Sequence, residues 1–157
     1  MITIFFDNPD EIESNPIRVL NGNGNLLHKG HEGDISTVAF HDPFWLATGS
    51  VDGVIVVFNI EAGTIRFTLR EPYLKLRSQE EKAVEKILFL DYKDSLYIVS
   101  CHGDGYIRFW NMSTTKMENE VNIQIAGDEG LTVMGLDNTS EILVVGGSQG
   151  HARVMNF

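Results

Sequence analysis

Cysteine is almost absent from this chain. The single Cys101 has no intrachain partner for a disulfide, so nothing in the composition calls for an oxidising compartment. Proline is nearly as scarce, four in 157 residues, and with no low-complexity tract the chain is neither collagenous nor disordered. Basic residues number 12 against 22 acidic ones, a net charge of -10. Tracking along a phosphate backbone rests on clustered Lys and Arg, so no nucleic-acid partner is expected. Long hydrophobic runs are missing too. Val54 to Phe58 is strand-sized, far short of the roughly 20 apolar residues of a membrane-spanning helix. The opening MITIFFDNPDEIE has no basic residue before Arg18 and reads as no signal peptide. No membrane partner is expected, and the cytoplasm is the expected location.

What the chain does have is hydrophobic residues, 43% of the total, and 15 glycines. At this length a folded chain buries roughly two-thirds of the surface its unfolded form exposes, enough for a core. The glycines fall in repeats. LATGSVDGVIVVFN (46–59) lies over LYIVSCHGDGYIRFWN (96–111) once Ile98 and Val99 are set aside as a two-residue bulge or offset, and LVVGGSQGHARVMN (143–156) matches the first copy without a gap. Residues 2–20 resemble the tail of a further copy, with Phe6 and Asp7 standing where Phe58 and Asn59 stand. The closing positions 7, 59, 111 and 156 are 52, 52 and 45 residues apart, somewhat longer than the roughly 40 to 45 of a four-stranded propeller blade. The excess is assigned to loops.

Short β-rich runs between Gly, Asp and Asn turns, with no sustained helical period, make the chain all-β. Strands are expected near 35–40, 45–49, 54–58 and 64–69, then 84–90, 97–101, 106–110 and 121–125, then 131–136, 142–146 and 151–155, with two more near 2–6 and 16–20. That makes thirteen, grouped two, four, four and three. Asp52-Gly53 and Asp104-Gly105 read as two-residue hairpin turns. The charged stretch 70–82, REPYLKLRSQEEK, reads as a long surface connection with room for a short helix.

Gly30-His31 before a strand, the turn aspartates Asp52 and Asp104, and the strand endings GVIVVFN and GYIRFWN resemble the signatures of the WD-repeat β-propeller family. Within that family, AVEKILFL (83–90) followed by GDGYIRFWN is similar to ciliary and axonemal members whose longer chains also carry EF-hands. The resemblance implies a propeller fragment, open rather than closed. Its parts would be the end of a blade (1–29), a complete blade (30–70), an inter-blade loop (71–82), a second complete blade (83–126) and a partial blade (127–157). It also implies a buried series of hydrogen bonds in each blade, running from a loop His through a strand Ser or Thr and the turn Asp to a strand Trp. Carried over, the first copy has His31, Thr48 and Asp52, with Phe58 in place of Trp. The second has Ser100, Asp104 and Trp110 but no Gly-His, and the third has Val145, Gln149 and Met155 and keeps none.

Sites for chemistry are few. His28 and His31 are the one close histidine pair, and zinc needs more ligands than they supply, so no metal is expected. Asp52 and Asp104 fall in equivalent turns, not across one cleft. Cys101 and His102, as strand neighbours, point to opposite faces and form no thiol-imidazole pair. NGNGN (21–25) lacks the Lys-Ser/Thr ending of a phosphate-binding P-loop, and the acidic 7–13 lacks the glycine of a calcium loop. The strand aromatics lack the basic neighbours of a nucleic-acid stacking platform.

The sequence therefore reads as a non-catalytic protein-interaction scaffold, not an enzyme and without a cofactor, with loops as the recognition surface. Candidate partner contacts are Glu32 and Asp34 beside the first network and Tyr73, Lys75 and Arg77 in the inter-blade loop. The family resemblance places it in the cytoplasm, in a ciliary or axonemal assembly. The alternatives are a fragment of a propeller enzyme or a structural piece without separable activity. Propellers close with about four to eight blades, so open flanks with exposed apolar surface are expected, to be covered by the remainder of a larger propeller or by self-association.

Overall fold

The computed structural model describes residues 18–20, 26–123 and 130–157, with side chains from residue 30 onward. It is an all-β arrangement of antiparallel sheets. A two-stranded sheet pairs β1 (Arg18–Leu20) with β2 (Leu26–Lys29). Blade one follows as β3 (Ile35–His41), β4 (Trp45–Ser50), β5 (Val54–Asn59) and β6 (Thr64–Arg70), hydrogen-bonded in chain order. Blade two repeats this with β7 (Val84–Tyr92), β8 (Ser95–His102), β9 (Tyr106–Asn111) and β10 (Lys116–Asn122). Blade three has β11 (Leu131–Leu136), β12 (Ile142–Gly147) and β13 (Ala152–Asn156). The grouping is two, four, four and three, and no sheet among the described residues closes on itself.

The expected strand near 2–6 lies outside the described residues; β1 pairs with β2, just before Gly30. Three expectations need correction. The fourth strand of blade two is 116–122, not 121–125. No bulge occurs at Ile98 and Val99: β8 pairs with β9 without a break from Tyr97↔Asn111 to Cys101↔Ile107. The hairpin turns are three residues long, because Gly53 N–H donates to the Ser50 carbonyl and Gly105 N–H to His102. Only the glycines have positive φ, +84° and +79°, the geometry of a type I turn followed by a left-handed residue.

The blades stack face to face. One face of blade one (Ala47, Ile55, Val57, Leu69) packs on Val84, Ile87, Ile98 and Trp110 of blade two. The other face of blade two (Leu90, Val99, Cys101, Ile107, Phe109) packs on Leu131, Met134, Leu143 and Val145 of blade three. β5 has both faces covered, which explains its unbroken VIVVF run: alternation disappears when neither side meets water. Polar groups also cross the first junction. Ser36 Oγ donates to the Val84 carbonyl, and Ile87 N–H donates to Thr37 Oγ1 at 3.3 Å, tying the first strands of the two blades together. At the ends of the stack apolar side chains face outward, Val38 and Phe40 on blade one and Val133, Ile142, Val144 and Val154 on blade three.

Candidate functional site: two buried networks and the loop between them

In blade one the His31 imidazole, 3% exposed, places Nε2 2.7 Å from Thr48 Oγ1. Thr48 Oγ1 lies 3.4 Å from the Val56 carbonyl of the neighbouring strand. His31 Nδ1 is 3.8 Å from Asp52 Oδ2, beyond hydrogen-bond reach. The Asp52 carboxylate accepts from the amides of Glu32 (3.0 Å), Gly33 (3.4 Å) and Val54 (2.9 Å). It thereby pins the loop before β3 onto the turn before β5. Burial alone would raise the Asp52 pKa, but the adjacent His31 ring and the Glu32 and Val54 amides outweigh it and hold the carboxyl well below its ordinary value. At the place of Trp, Phe58 is buried at 2% exposure, and its ring stands so close to Gly30 that a Cβ there would sit 3.2 Å from it.

Blade two builds its network differently. Trp110 Nε1–H donates to Ser100 Oγ at 2.9 Å, and Ser100 Oγ is 2.8 Å from His102 Nε2. His102 Nδ1 lies 3.4 Å from the Lys82 carbonyl. The missing loop histidine is thus replaced by a histidine two residues along the strand from Ser100, on the same face because side chains alternate. Burial, reinforced by the positive charge of Arg108, pushes the His102 pKa down to about 3, so the ring is neutral. Asp104 is paired with arginine here. It takes both Arg108 terminal nitrogens, at 3.2 and 2.6 Å, with Arg108 only 1% exposed and its Nε 3.4 Å from Glu120. In the third copy Val145 is buried against blade two, where Met155 also packs, so apolar contact replaces the network; Gln149 is exposed.

The loop between the blades is ordered by its own chemistry. A single 3-10 turn spans Leu74–Leu76, and a helix, α1 (Gln79–Lys82), begins with a capping box between Ser78 and Glu81. Gln79 Nε2 donates to the Val51 carbonyl at 2.9 Å. Arg77 reaches Asp104 at 3.5 Å and the buried Glu71 at 3.7 Å. Of the sequence-selected contact residues, Glu32, Asp34, Tyr73 and Lys75 are exposed. Arg77 is half-buried, its guanidinium in these ion pairs fastening the loop to blade two. A Cβ at Gly53 would run into the Leu74 side chain and the Lys82 carbonyl, so the loop also packs against the blade-one turn. Between turn and loop lies a cleft of about 440 Å3 whose walls include His31, Asp52, Val54, Arg70, Leu74 and Lys82.

Among the described residues, reactive groups do not gather. Burial raises the Cys101 pKa to about 12, which leaves a thiol and not a nucleophilic thiolate; its side chain is in the blade-two to blade-three core, while His102 faces Ser100. Asp52 and Asp104 are engaged with different partners in different blades. Among the described residues no three His, Cys, Asp or Glu side chains are grouped to hold a metal ion.

The target of rapamycin complex subunit wat1 of Schizosaccharomyces pombe (strain 972 / ATCC 24843) is 24% identical over 132 residues, 82% of this chain. The chain spans 37% of the length of that relative. The family model of the WD domain, G-beta repeat, matches residues 16–59, which end with β5, and 91–111, which end with β9. Its two matched segments close on the third strands of blades one and two, and the four-stranded antiparallel sheets that contain them are consistent with fragments of a WD-type propeller.

Proposed function

We propose that the chain acts as a protein-interaction scaffold without catalysis of its own, and that the loop 71–82 is its principal recognition surface. The observation that carries this is the exposure of Tyr73 at 66% and Leu76 at 82% on a loop fixed by Arg77, Gln79 and a capping box. Large apolar side chains held ready in water mark contact sites, because binding then costs little ordering entropy. Glu32 and Asp34 extend the surface beyond the blade-one turn. The WD-domain match and the membership of wat1 in a complex support this reading.

The outward apolar faces of blades one and three are further contact surfaces, for the remainder of a larger propeller or for a second copy. The lone unpaired cysteine supports a cytoplasmic location, and the resemblance of 83–90 and 103–111 to ciliary and axonemal proteins is the ground for placing it in such an assembly. The test is affinity capture with chemical cross-linking, comparing wild type with Tyr73→Ala and Leu76→Asp. A partner cross-linked at Lys75 and lost from both variants, with their thermal melting unchanged, is the expected result. Unchanged recovery from both would end the assignment of this loop.

A further inference from the structure

We propose that the outward faces of blades one and three are the two halves of one inter-blade junction, and that a second copy of this chain joins them head to tail. A second copy is one of the occupants that the reading of these faces as contact surfaces allows, and the proposal rests on that reading. Its basis is the packing already built inside the chain. The first strand of a blade lies against the first two strands of the blade before it, β7 on β3 and β4, and β11 on β7 and β8. At the first junction Ile87 and Phe89 of β7 share a core with Ala39 and Ala47, small residues that pair directly across β3 and β4. Large side chains on the following blade thus meet small ones on the preceding blade.

Strand register carries both halves to the ends of the stack. Phe40 pairs with Leu46 as Phe89 pairs with Ile98, and Val38 pairs with Thr48 as Ile87 pairs with Ser100. Leu46 and Ile98, like Thr48 and Ser100, are 52 residues apart, so Val38 and Phe40 stand in blade one where Ile87 and Phe89 stand in blade two. Both are open, at 51% and 55% exposure, whereas Val56 and Phe58 on the outer part of that face are covered. The opening therefore falls on the strand that the junction uses. On blade three Gly135 pairs with Val144 as Ala39 pairs with Ala47, and the third repeat copy sets Val144 at the place of Ala47. A Cβ on Gly135 would meet nothing within 4 Å, so the face is hollow there. Val133, Ile142 and Val144, on the same face, are 40 to 56% exposed.

Size selects the pairing. Two blade-three faces would set hollow against hollow, and two blade-one faces would set Phe40 against Phe40, so contacts of like with like leave voids or crowd. The unlike pair reproduces a packing the chain already has, with Phe40 of one copy over Gly135 and Val144 of the other as Phe89 lies over the paired alanines. Such a heterologous contact leaves a free half on each outer copy and builds a ring or an open array. The net charge of -10 opposes association, and salt of physiological strength limits the reach of that repulsion to about 8 Å.

The experiment is size-exclusion chromatography with light scattering on the full 157-residue chain at physiological salt. It compares wild type, Phe40→Asp, Val144→Asp and an equimolar mixture of the two variants. Both positions face water in the single chain, and the Trp110 indole resonance reports that each variant is folded. Phe40→Ser and Val144→Ser are read in the same way if either aspartate unfolds the chain. Wild type should gain mass with concentration, to a dimer or beyond. Each variant alone should associate about tenfold more weakly or worse, because the new side chain has no partner in the contact. The mixture should form a dimer, since Phe40→Asp keeps a sound blade-three face and Val144→Asp a sound blade-one face. Wild type that stays monomeric at every concentration would overturn the proposal and give the two faces to other polypeptide, while the loop assignment, tested at Tyr73 and Leu76, would stand. Association that is indifferent to either substitution, or that mixing does not restore, would overturn the proposal as well, the second result being that of a contact of like with like.

Discussion

Replacing Ser100 by Ala tests whether the blade-two network stabilises the fold as a unit. Ser100 Oγ accepts from the Trp110 indole and lies against His102 Nε2, and all three residues are at most 3% exposed. Removing the hydroxyl strands the indole N–H and the imidazole nitrogen in a site that water does not reach. Each stranded group costs about 1 to 3 kcal/mol, so the substitution should cost about 2 to 6 kcal/mol. For a chain this long that lowers the melting midpoint by roughly 4 to 24 °C. Trp110→Phe copies what blade one already has in Phe58 and removes the donor together with part of the ring. In the double variant one of the stranded groups is gone, so the combined loss should fall short of the sum by about 1 to 2 kcal/mol. Urea unfolding followed by far-ultraviolet circular dichroism measures all four corners of the cycle without relying on Trp110 fluorescence. A Ser100→Ala loss within about 0.5 kcal/mol of zero, or strict additivity in the double variant, would refute the coupled network.

Three further outcomes follow from the same contacts. His102 stays neutral in the folded chain down to about 3, while in the unfolded chain it takes up a proton near 6.5. Stability should therefore be full above that value and decline as pH falls through this window, by on the order of 4 kcal/mol. The depressed Asp52 carboxyl adds a loss of the same sign at lower pH, and His102→Gln, measured by urea unfolding at stepped pH, should flatten the upper part of the slope. Cys101, buried and with its pKa raised to about 12, should react with a thiol reagent at neutral pH only as fast as the chain opens, so a burst of reaction in native buffer contradicts its placement. Gly103→Ala drives a Cβ into the Glu80 carbonyl and should cost about 1 to 3 kcal/mol, with faster hydrogen exchange at 79–82 than at β5 as its signature.

The strands of blades one and two could be read from the sequence because their Asp-Gly turns fix the phase of each hairpin. β10 was the exception. Its sequence KMENEVN faces water along most of its length, so no apolar period marks it, and the more apolar VNIQI downstream attracts the assignment. The repeat itself holds the missing signal. Thr48 and Ser100, Asp52 and Asp104, and Phe58 and Trp110 are all 52 residues apart, and moving β6 by the same step gives 116–122. The turns agree. Asn59 Oδ1 accepts from Ala62 N–H ahead of Gly63 at φ +66°, and Asn111 Oδ1 accepts from Ser113 and Thr114 ahead of Thr115 at φ +57°. An unbroken offset also leaves no place for a bulge at Ile98 and Val99.

The site was legible only where residue identity follows the repeat, and blade two departs from it by substitution of partners. At the offset of 52 residues His102 stands where Ser50 stands, and in blade one Ser50 Oγ accepts from the Asp52 amide. The alternation that separates Cys101 from His102 also sets His102 beside Ser100, and this relation identifies the replacement. Arg108 follows from the change. With no loop histidine beside the turn, Asp104 is a buried carboxylate that needs a cation, and a buried arginine is tolerable only when paired. Arg108 answers from the next strand. Asp104 still attracts a second guanidinium, Arg77, which in turn holds Glu71. The ion chain therefore runs from the blade-two turn into the loop that presents Tyr73 and Leu76. The repeat that departs furthest from the histidine-based pattern while keeping a polar network is the one that fastens the inter-blade loop, because the Asp104 carboxylate pairs with one guanidinium from its own blade and a second from the loop.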